Sequence, residues 1–306
     1  MVAWAQVGDE CSGTASAGIC LRAEMAMLAP SGRKLPHQLG RGALASSWQK
    51  GWGVTAKGPG APEGLFEHAI ERVSGVLDVR PVDVDHSSEA FFAIDGDGRK
   101  WVRKKMLHTG WQPILAESLG WLVARELGVR APAGAICGSG DELSWLSAFV
   151  PNALHWQRNS VHFVKNLDEF GAMLALDALL YNDDRHAKNI LLVPDESEED
   201  LVAWAIDVGN AWVGHPHDFF GLGLKVPEKP NTARGLPLDL MKVGALRAAQ
   251  QATKLARSTT LERYIREACQ IVGEGTAPLL LEALSRRMER AGDLVEEYLK
   301  VLEGIP

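Results

Sequence analysis

The chain has 306 residues, of which 46% are hydrophobic and 23% are charged, and its formal net charge is -7. This size and composition predict a globular protein with one large domain or two lobes. The negative charge disfavours a dedicated nucleic-acid-binding protein, although a nucleotide site needs only local positive charge. The four cysteines form no Cys-x-x-Cys pair, which disfavours a disulfide framework or a zinc site.

Neither a membrane span nor a signal peptide is evident in the sequence. No apolar run reaches the roughly 18 residues that a spanning helix needs. The N-terminus shows no basic segment followed by an apolar core. We therefore expect a cytoplasmic protein that does not act at a membrane.

Residues 1–64 differ in composition from the rest of the chain. They carry 11 of the 31 glycines and show no sustained helical or strand period. Segments 51–53 and 58–62 are typical of linkers. We predict a Gly/Ala-rich, poorly ordered N-terminal segment. The alternative is that the sequence begins upstream of the true start, which would then be Met25 or Met27.

Residues 65–150 predict a small β-rich lobe that holds one helix. The Asp-Gly-Asp-Gly turn at 95–98 joins two of its strands as a hairpin. Pro113 and Gly128 bound the main helix. The predicted elements are helices at 65–73 and 113–127 and strands at 76–84, 90–94, 100–107, 131–137 and 143–150.

Residues 151–306 predict a larger, mostly helical lobe. A hinge near 148–152 would separate it from the β-rich lobe, which leaves a cleft between the two. The predicted elements are helices at 167–181, 238–257, 260–272 and 277–302 and strands at 190–193 and 202–206.

The most informative motif is the polar segment Asn182–Asn189, which is followed by a short strand, a connection and a second strand that ends at Asp207. Four residues separate Asp184 from Asn189. A phosphotransferase uses this spacing to place one carboxylate near the attacking hydroxyl and two oxygen ligands on magnesium. Asp184 fits the spacing better than Asp183, so we predict Asp184 as the catalytic carboxylate. Asn189 and Asp207 would be the magnesium ligands.

Two basic residues of the same motif have less definite roles. Lys188 could neutralise charge on the transferred phosphoryl group, and an exposed or salt-bridged lysine is the equal alternative. His186 fits a structural residue that holds the loop better than a catalytic base. His215 and His217, in a Gly/Pro-containing segment, resemble metal ligands, but without further ligands we expect no metal site there.

The β-rich lobe supplies the predicted nucleotide-binding residues. Side chains alternate along a strand, so Val102 and Lys104 share one face of 100–107. Val102 would lie under adenine, and Lys104 would bind phosphates. Glu117, on the following helix, could steer Lys104, although acidic residues also favour the starts of helices for other reasons.

Two further contacts with the nucleotide are predicted from position along the chain. The loop 85–89 lies between the first two strands, where Ser87 and Ser88 could bind phosphate. It contains no glycine, and an ordinary hairpin turn remains the alternative. Phe149, in the hinge, would lie beside the adenine.

With these residues in view, the chain resembles the HipA-like kinases, a branch of the phosphatidylinositol 3/4-kinase-like fold. The resemblance covers roughly residues 73–220. Its most specific part is Asn182–Asn189, the predicted catalytic segment, with Ile206–Gly209. The matching blocks are Asp97–Lys104, Ala116–Pro132, and Asn182–Asn189 with Ile206–Gly209.

The resemblance implies that Asp184 is the catalytic aspartate, that Asn189 and Asp207 bind magnesium, and that Lys104 is the ATP-phosphate lysine. Members of the family phosphorylate protein Ser/Thr hydroxyls, and the wider fold includes lipid kinases. The chain departs from the family in the glycine-poor 85–89 loop. It also lacks an evident N-terminal subdomain, so a toxin role and a DNA-binding antitoxin partner are not carried over.

Together these observations predict an α+β, bilobal, protein-kinase-like fold with an N-lobe at 65–150 and a C-lobe at 151–306. The expected function is an ATP- and Mg²⁺-dependent kinase that acts on a protein serine or threonine, without direct nucleic-acid or membrane binding. A lipid or small-molecule kinase and a non-catalytic nucleotide-binding module are the alternatives.

Overall fold

A computed structural model describes residues 70–82, 90–106, 110–195 and 200–304. All of them belong to one unit, Glu63–Pro306. The predictions for residues 1–64, for the 85–89 loop and for Ser87 and Ser88 fall outside the described residues.

The N-terminal region is a six-stranded sheet with one helix against it. The sheet order is β1-β5-β6-β4-β3-β2, and β1 pairs with β5 in parallel. The helix, α1 (Gln112–Leu127), ends at Gly128 with φ 76°. The strands are β1 (Glu71–Val73), β2 (Val76–Pro81), β3 (Ala90–Asp95), β4 (Lys100–Lys105), β5 (Gly134–Cys137) and β6 (Ser144–Ala148).

The two faces of this sheet have different neighbours. Trp101 of β4 and Leu146 of β6 belong to a small apolar cluster on one face. Ile136 of β5 and Trp145 of β6 belong to the main core, which includes the buried side of α1. Because side chains alternate, Val102 and Lys104 lie on the same face as Trp145, toward α1. This is the arrangement that the sequence predicts for β4.

The C-terminal region is mainly helical and contains a small antiparallel sheet ordered β7-β8-β9. The strands are β7 (Leu154–His155), β8 (Ile190–Pro194) and β9 (Leu201–Ala205). The helices are α2 (Leu167–Phe170), α3 (Ala172–Leu180), α4 (Pro216–Leu222), α5 (Leu238–Ala256), α6 (Thr259–Val272), α7 (Ala277–Glu289) and α8 (Ala291–Glu303). A β-sheet N-terminal region followed by a helical C-terminal region confirms the predicted fold class.

Several predicted elements were wrong in detail. Residues 71–73, expected in a helix, form strand β1, because their main chain pairs with β5. The helix expected at 277–302 is interrupted at Arg290 and forms α7 and α8. Helix α4 lies where the sequence suggested an irregular Gly/Pro-containing segment.

The helix expected at 167–181 is interrupted at Gly171, where another helix crosses closely. A Cβ atom on Gly171 would overlap the main-chain carbonyl of Met241 in α5, and one on Gly244 would overlap the carbonyl of Asp168. Both positions therefore need glycine for the two backbones to approach. This crossing packs α3, the helix that leads into the Asn182–Asn189 segment, onto α5.

Within the described residues, no helix has the length and apolar character needed to cross a membrane.

Candidate functional site

Three charged side chains from three different elements meet in the space between the sheet and the helical region. The Nζ atom of Lys104 lies 2.5 Å from Oε1 of Glu117 and 2.7 Å from Oδ1 of Asp207. Lys104 comes from β4, Glu117 from α1, and Asp207 from the segment after β9. We call these three residues the cleft cluster. The side chain of Lys104 is only 11% exposed, so the two ion pairs form largely away from water.

Burial and mutual attraction set the pKa values of the cleft cluster. Burial disfavours the charged form of Lys104, but the charges of Asp207 and Glu117 outweigh it, and its pKa is raised. Burial likewise opposes ionisation of Asp207, yet Lys104 and Arg185 hold its pKa below the usual range. Burial raises the pKa of Glu117. Asp207 is therefore the carboxylate of the pair that keeps its charge to lower pH.

The backbone around Asp207 takes an unusual course. Asp207 has φ 58°, a left-handed conformation that few side chains adopt. Gly209 follows, and a Cβ atom there would lie 3.3 Å from Oε1 of Glu117 and 3.5 Å from Nζ of Lys104. The glycine keeps this side of the cleft cluster free of side-chain atoms. Gly120 serves a similar purpose on α1, where a Cβ atom would overlap the side chain of Val208.

A second, fully buried ion pair lies behind the Asn182–Asn189 segment. Arg185 and Asp177 are both 0% exposed, and their side chains are 2.8 Å apart. The Nη1 group of Arg185 also donates to the carbonyl of Asn189 at 3.0 Å and to that of Ile206 at 2.5 Å. We call Asp177 and Arg185 the loop anchor. It joins the two segments that carry the predicted metal ligands.

Sequence reasoning missed the loop anchor, although a signal for it was present. Asp177 lies in the strongly apolar helix α3, where an unpaired buried carboxylate would be costly. An aspartate in that setting requires a cationic partner, and Arg185 in the polar segment just beyond the helix is the nearest arginine in sequence.

The predicted catalytic carboxylate, Asp184, is held by two amides from other segments. Asn210 donates to its Oδ2 at 2.9 Å, and Asn231 donates to its Oδ1 at 2.8 Å. The neighbouring Asp183 has a different environment, with its carboxylate 3.4 Å from the indole nitrogen of Trp212. Neither asparagine was singled out from the sequence, because only the folded chain brings them to Asp184.

Asn189 and the two basic residues of the motif occupy three different environments. The Asn189 side chain is buried, and its Nδ2 donates to the Asp184 carbonyl at 2.8 Å. Lys188 is exposed. His186 has Nε2 at 3.8 Å from Asp184 Oδ2, while its buried Nδ1 has no hydrogen-bond partner among the described residues.

The residues predicted to contact adenine lie on one stretch of the sheet. Val102 is half-buried and stands between Phe92 and Ser147 in the strand register. The Phe149 amide donates to the Lys100 carbonyl at 2.9 Å. The Phe149 ring packs edge-on against Phe92, with ring centroids 5.6 Å apart. Val102 thus belongs to the strand that carries Lys104, and Phe149 directly follows the neighbouring strand, β6.

Asn189 and Asp207 fit a magnesium site that the ligand helps to complete. Magnesium takes oxygen ligands and keeps several waters, so one amide and one carboxylate suffice beside phosphate oxygens. Among the described residues, no group of three or more His, Cys, Asp or Glu side chains is arranged to hold a metal alone. A magnesium ion held by Asn189 and Asp207 would therefore need further oxygen ligands from a bound nucleotide or from water.

Comparison with known proteins identifies the fold. No protein-family model matches the sequence, and no curated protein matches it. The Helicobacter pylori proinflammatory kinase CtkA is similar in structure, with a TM-score of 0.52 and 11% identity, over 78% of this chain and 99% of that one. The sequence comparisons do not confirm the HipA-like family.

More distant similarity links the chain to two other proteins. HipA from the Shewanella oneidensis toxin–antitoxin system, solved with HipB and operator DNA, gives a TM-score of 0.36 at 13% identity, over 76% of this chain and 70% of that one. The Rio2 kinase of Chaetomium thermophilum, in an ADP/Mg²⁺-phosphoaspartate complex, gives 0.31 at 12%, over 74% and 71%. The similarity to CtkA, at 11% identity, shows the fold alone, and that fold is protein-kinase-like.

Proposed function

We propose that the protein is an ATP- and Mg²⁺-dependent phosphotransferase that acts on protein serine or threonine hydroxyls in the cytoplasm. One observation carries this proposal: Lys104, Glu117 and Asp207 are in contact, and the loop anchor joins the Asp207 segment to Asn189. A lysine paired with a helix carboxylate beside a metal-binding aspartate is the arrangement by which kinases hold nucleotide phosphates.

Each residue of the site has a role that its environment supports. Lys104, kept protonated by two carboxylates, would bind phosphate oxygens, and Glu117 would hold it in place. Asn189 uses its amide nitrogen on the Asp184 carbonyl, which leaves its amide oxygen for a cation. Asn189 and Asp207 would hold Mg²⁺, which when bound neutralises charge on the phosphates. Val102 and Phe149 would contact adenine, and Lys188, exposed beside the loop, would face the transferred group.

Asp184 would orient the acceptor hydroxyl and take its proton. The acceptor oxygen forms a bond to the γ-phosphorus of ATP as the bond from that phosphorus to the ADP oxygen breaks. The hydroxyl proton passes to Asp184 and then to solvent. Asn210 and Asn231 donate to the two carboxylate oxygens of Asp184 and so orient them.

The direct test is mass spectrometry of the purified protein after incubation with Mg-ATP and a serine/threonine peptide library. We expect phosphorylated peptides or autophosphorylation with the wild type and neither with Asp184→Asn or Asp207→Asn. Activity that survives in both variants contradicts the proposed roles. Thermal shift with ATP, with and without Mg²⁺, is the second measurement, because an absent metal-dependent shift would indicate a non-catalytic module.

A further inference from the structure

Four exposed cations lie in the segments that neighbour Asp184. We call Arg158, Lys188, Lys229 and Arg234 the basic rim. They come from three segments: the turn at 158–163, the catalytic segment, and the stretch 225–235. Among the described residues, none of the four is in an ion pair with a carboxylate.

Hydrogen bonds and packing hold these three segments together around Asp184. The amide of Asn231 donates to the Asp183 carbonyl at 2.5 Å, and the amide of Ala233 donates to the Arg185 carbonyl at 2.7 Å. The stretch 225–235 therefore lies along the catalytic segment. The Trp156 indole donates to the Arg234 carbonyl at 3.3 Å. The side chain of Arg158 packs directly against Gly235.

The charge of this surface is opposite to that of the protein as a whole. The chain carries a formal net charge of -7. Segments 154–163, 182–189 and 225–235 together hold six Lys and Arg residues against three acidic residues, Asp183, Asp184 and Glu228. Elsewhere on the surface, exposed arginines are commonly paired, as Arg130 is with Glu169. Unpaired like charges at one site favour an anionic ligand, because opposite charge raises its association rate and its selectivity.

The shape of the surface favours an extended ligand over a small anion. The rim cations are exposed and come from separate segments, so they do not converge on one enclosed position. Strand β7 lies beside them at an edge of its sheet. Next to it, the side chains of Leu154 and Phe163 are 58% and 57% exposed. A sheet edge with apolar neighbours can bind the main chain and side chains of an extended peptide.

We propose that the basic rim selects an acidic, extended protein segment as the phosphate acceptor. The serine or threonine hydroxyl would face Asp184, while flanking Asp, Glu or phosphorylated residues contact Arg158, Lys229 and Arg234. This inference rests on the proposed function for the transfer step. The binding of the acidic segment itself does not depend on that step.

The test uses full-length protein and two fluorescent peptides with one central serine, one flanked by glutamates and one by glutamines. Fluorescence anisotropy should show about tenfold tighter binding of the acidic peptide, as two exposed ion pairs would give. Arg158→Glu with Arg234→Glu should remove that preference. Lys254→Glu with Arg257→Glu, at the far end of α5, is the matched control and should leave it intact. In the presence of Mg-ATP, the same preference should appear in kcat/KM.

The outcomes separate the two proposals. Equal binding of both peptides, or an unchanged preference in the rim variant while Mg-ATP still stabilises it, overturns the acidic-acceptor inference alone. Binding to vesicles of phosphatidylserine but not to the acidic peptide also overturns it. Rim-dependent peptide binding without any phosphorylation or Mg-ATP stabilisation in the wild type supports the basic rim as a binding surface for acidic peptides and contradicts the kinase function.

Discussion

The cleft cluster and the loop anchor are both ion pairs in low-dielectric surroundings, yet they differ in what surrounds them. The loop anchor is fully buried, and Arg185 donates hydrogen bonds to Asp177 and to two main-chain carbonyls. In the cleft cluster, Lys104 and Asp207 retain 11% and 23% side-chain exposure. A buried pair whose hydrogen bonds are all internal fixes the backbone, whereas a partly exposed one can exchange partners with a ligand. The comparison predicts that mutations in the cleft cluster mainly lower activity, whereas mutations in the loop anchor mainly lower stability.

The largest expected effect is on activity, from removing charge in the cleft cluster. Asp207→Asn should lower kcat/KM by about 10³-fold, since a charge-stabilising group in a catalytic site contributes about that much. Asparagine tolerates the left-handed backbone at this position, so the fold should be retained. Peptide phosphorylation and urea unfolding measured on the same preparation test this. If Asp207→Asn were both inactive and unfolded, the result would contradict the claim that the cleft cluster acts on activity and the loop anchor on stability.

The loop anchor should show the reverse, a large loss of stability. Arg185→Met leaves Asp177 buried without a counter-charge, which costs about 3 kcal/mol of unfolding free energy. Asp177→Leu combined with Arg185→Met should recover part of that loss. Urea denaturation is the measurement, and Arg130→Met, which breaks an exposed pair, is the control. Similar losses of unfolding free energy in Arg185→Met and Arg130→Met would contradict the idea that the buried loop anchor stabilises the fold more than an exposed ion pair does.

Crowding between α1 and the Asp207 segment gives an intermediate effect. Gly120→Ala places a methyl group on Val208, and overpacking of this kind costs about 1 to 3 kcal/mol. It should also push Glu117 away from Lys104 and weaken the thermal stabilisation by Mg-ATP. Gly292→Ala, on an exposed face of α8 with no neighbour within 4 Å, should instead stabilise slightly. Equal changes in stability in Gly120→Ala and Gly292→Ala would contradict the claim that Gly120 is needed for close packing against Val208.

The smallest expected effect concerns pH. The folded-state pKa of Asp207 is below its unfolded value, because Lys104 and Arg185 outweigh the effect of burial. Its ionisation therefore stabilises the fold fully above about pH 4, and that contribution is lost as pH falls through the folded pKa. Urea unfolding between pH 7 and pH 2.5 should show a shallower acid dependence in Lys104→Met than in the wild type. A parallel curve would contradict the coupling.

Local sequence rules were sufficient where the deciding interactions are local. The period of two along a strand correctly predicted that Val102 and Lys104 share a face, because nothing distant determines it. The fold class also followed from the order of the elements. The roles of Asp184, Asn189 and Asp207 rest on spacing and remain predictions, although the structure brings their segments together through Arg185.

Features that depend on contacts distant in the chain were beyond sequence reasoning. The face of Glu117 could not be chosen, since α1 turns out to be buried on almost all sides. The need for glycine at position 171 depends on how closely α5 approaches, more than 60 residues away. Strand β1 is too short to be identified without β5, its partner. In each case the missing information is the position of a packing partner.

The two asparagines on Asp184 have a consequence for the entropy of catalysis. A mobile side chain that must be immobilised when its ligand arrives costs about 0.5 to 1.5 kcal/mol at that moment. Asn210 and Asn231 fix both carboxylate oxygens of Asp184 in the free protein, so its rotamer freedom is already lost on folding. In the proposed reaction, an incoming hydroxyl would then meet a carboxylate that two hydrogen bonds already orient.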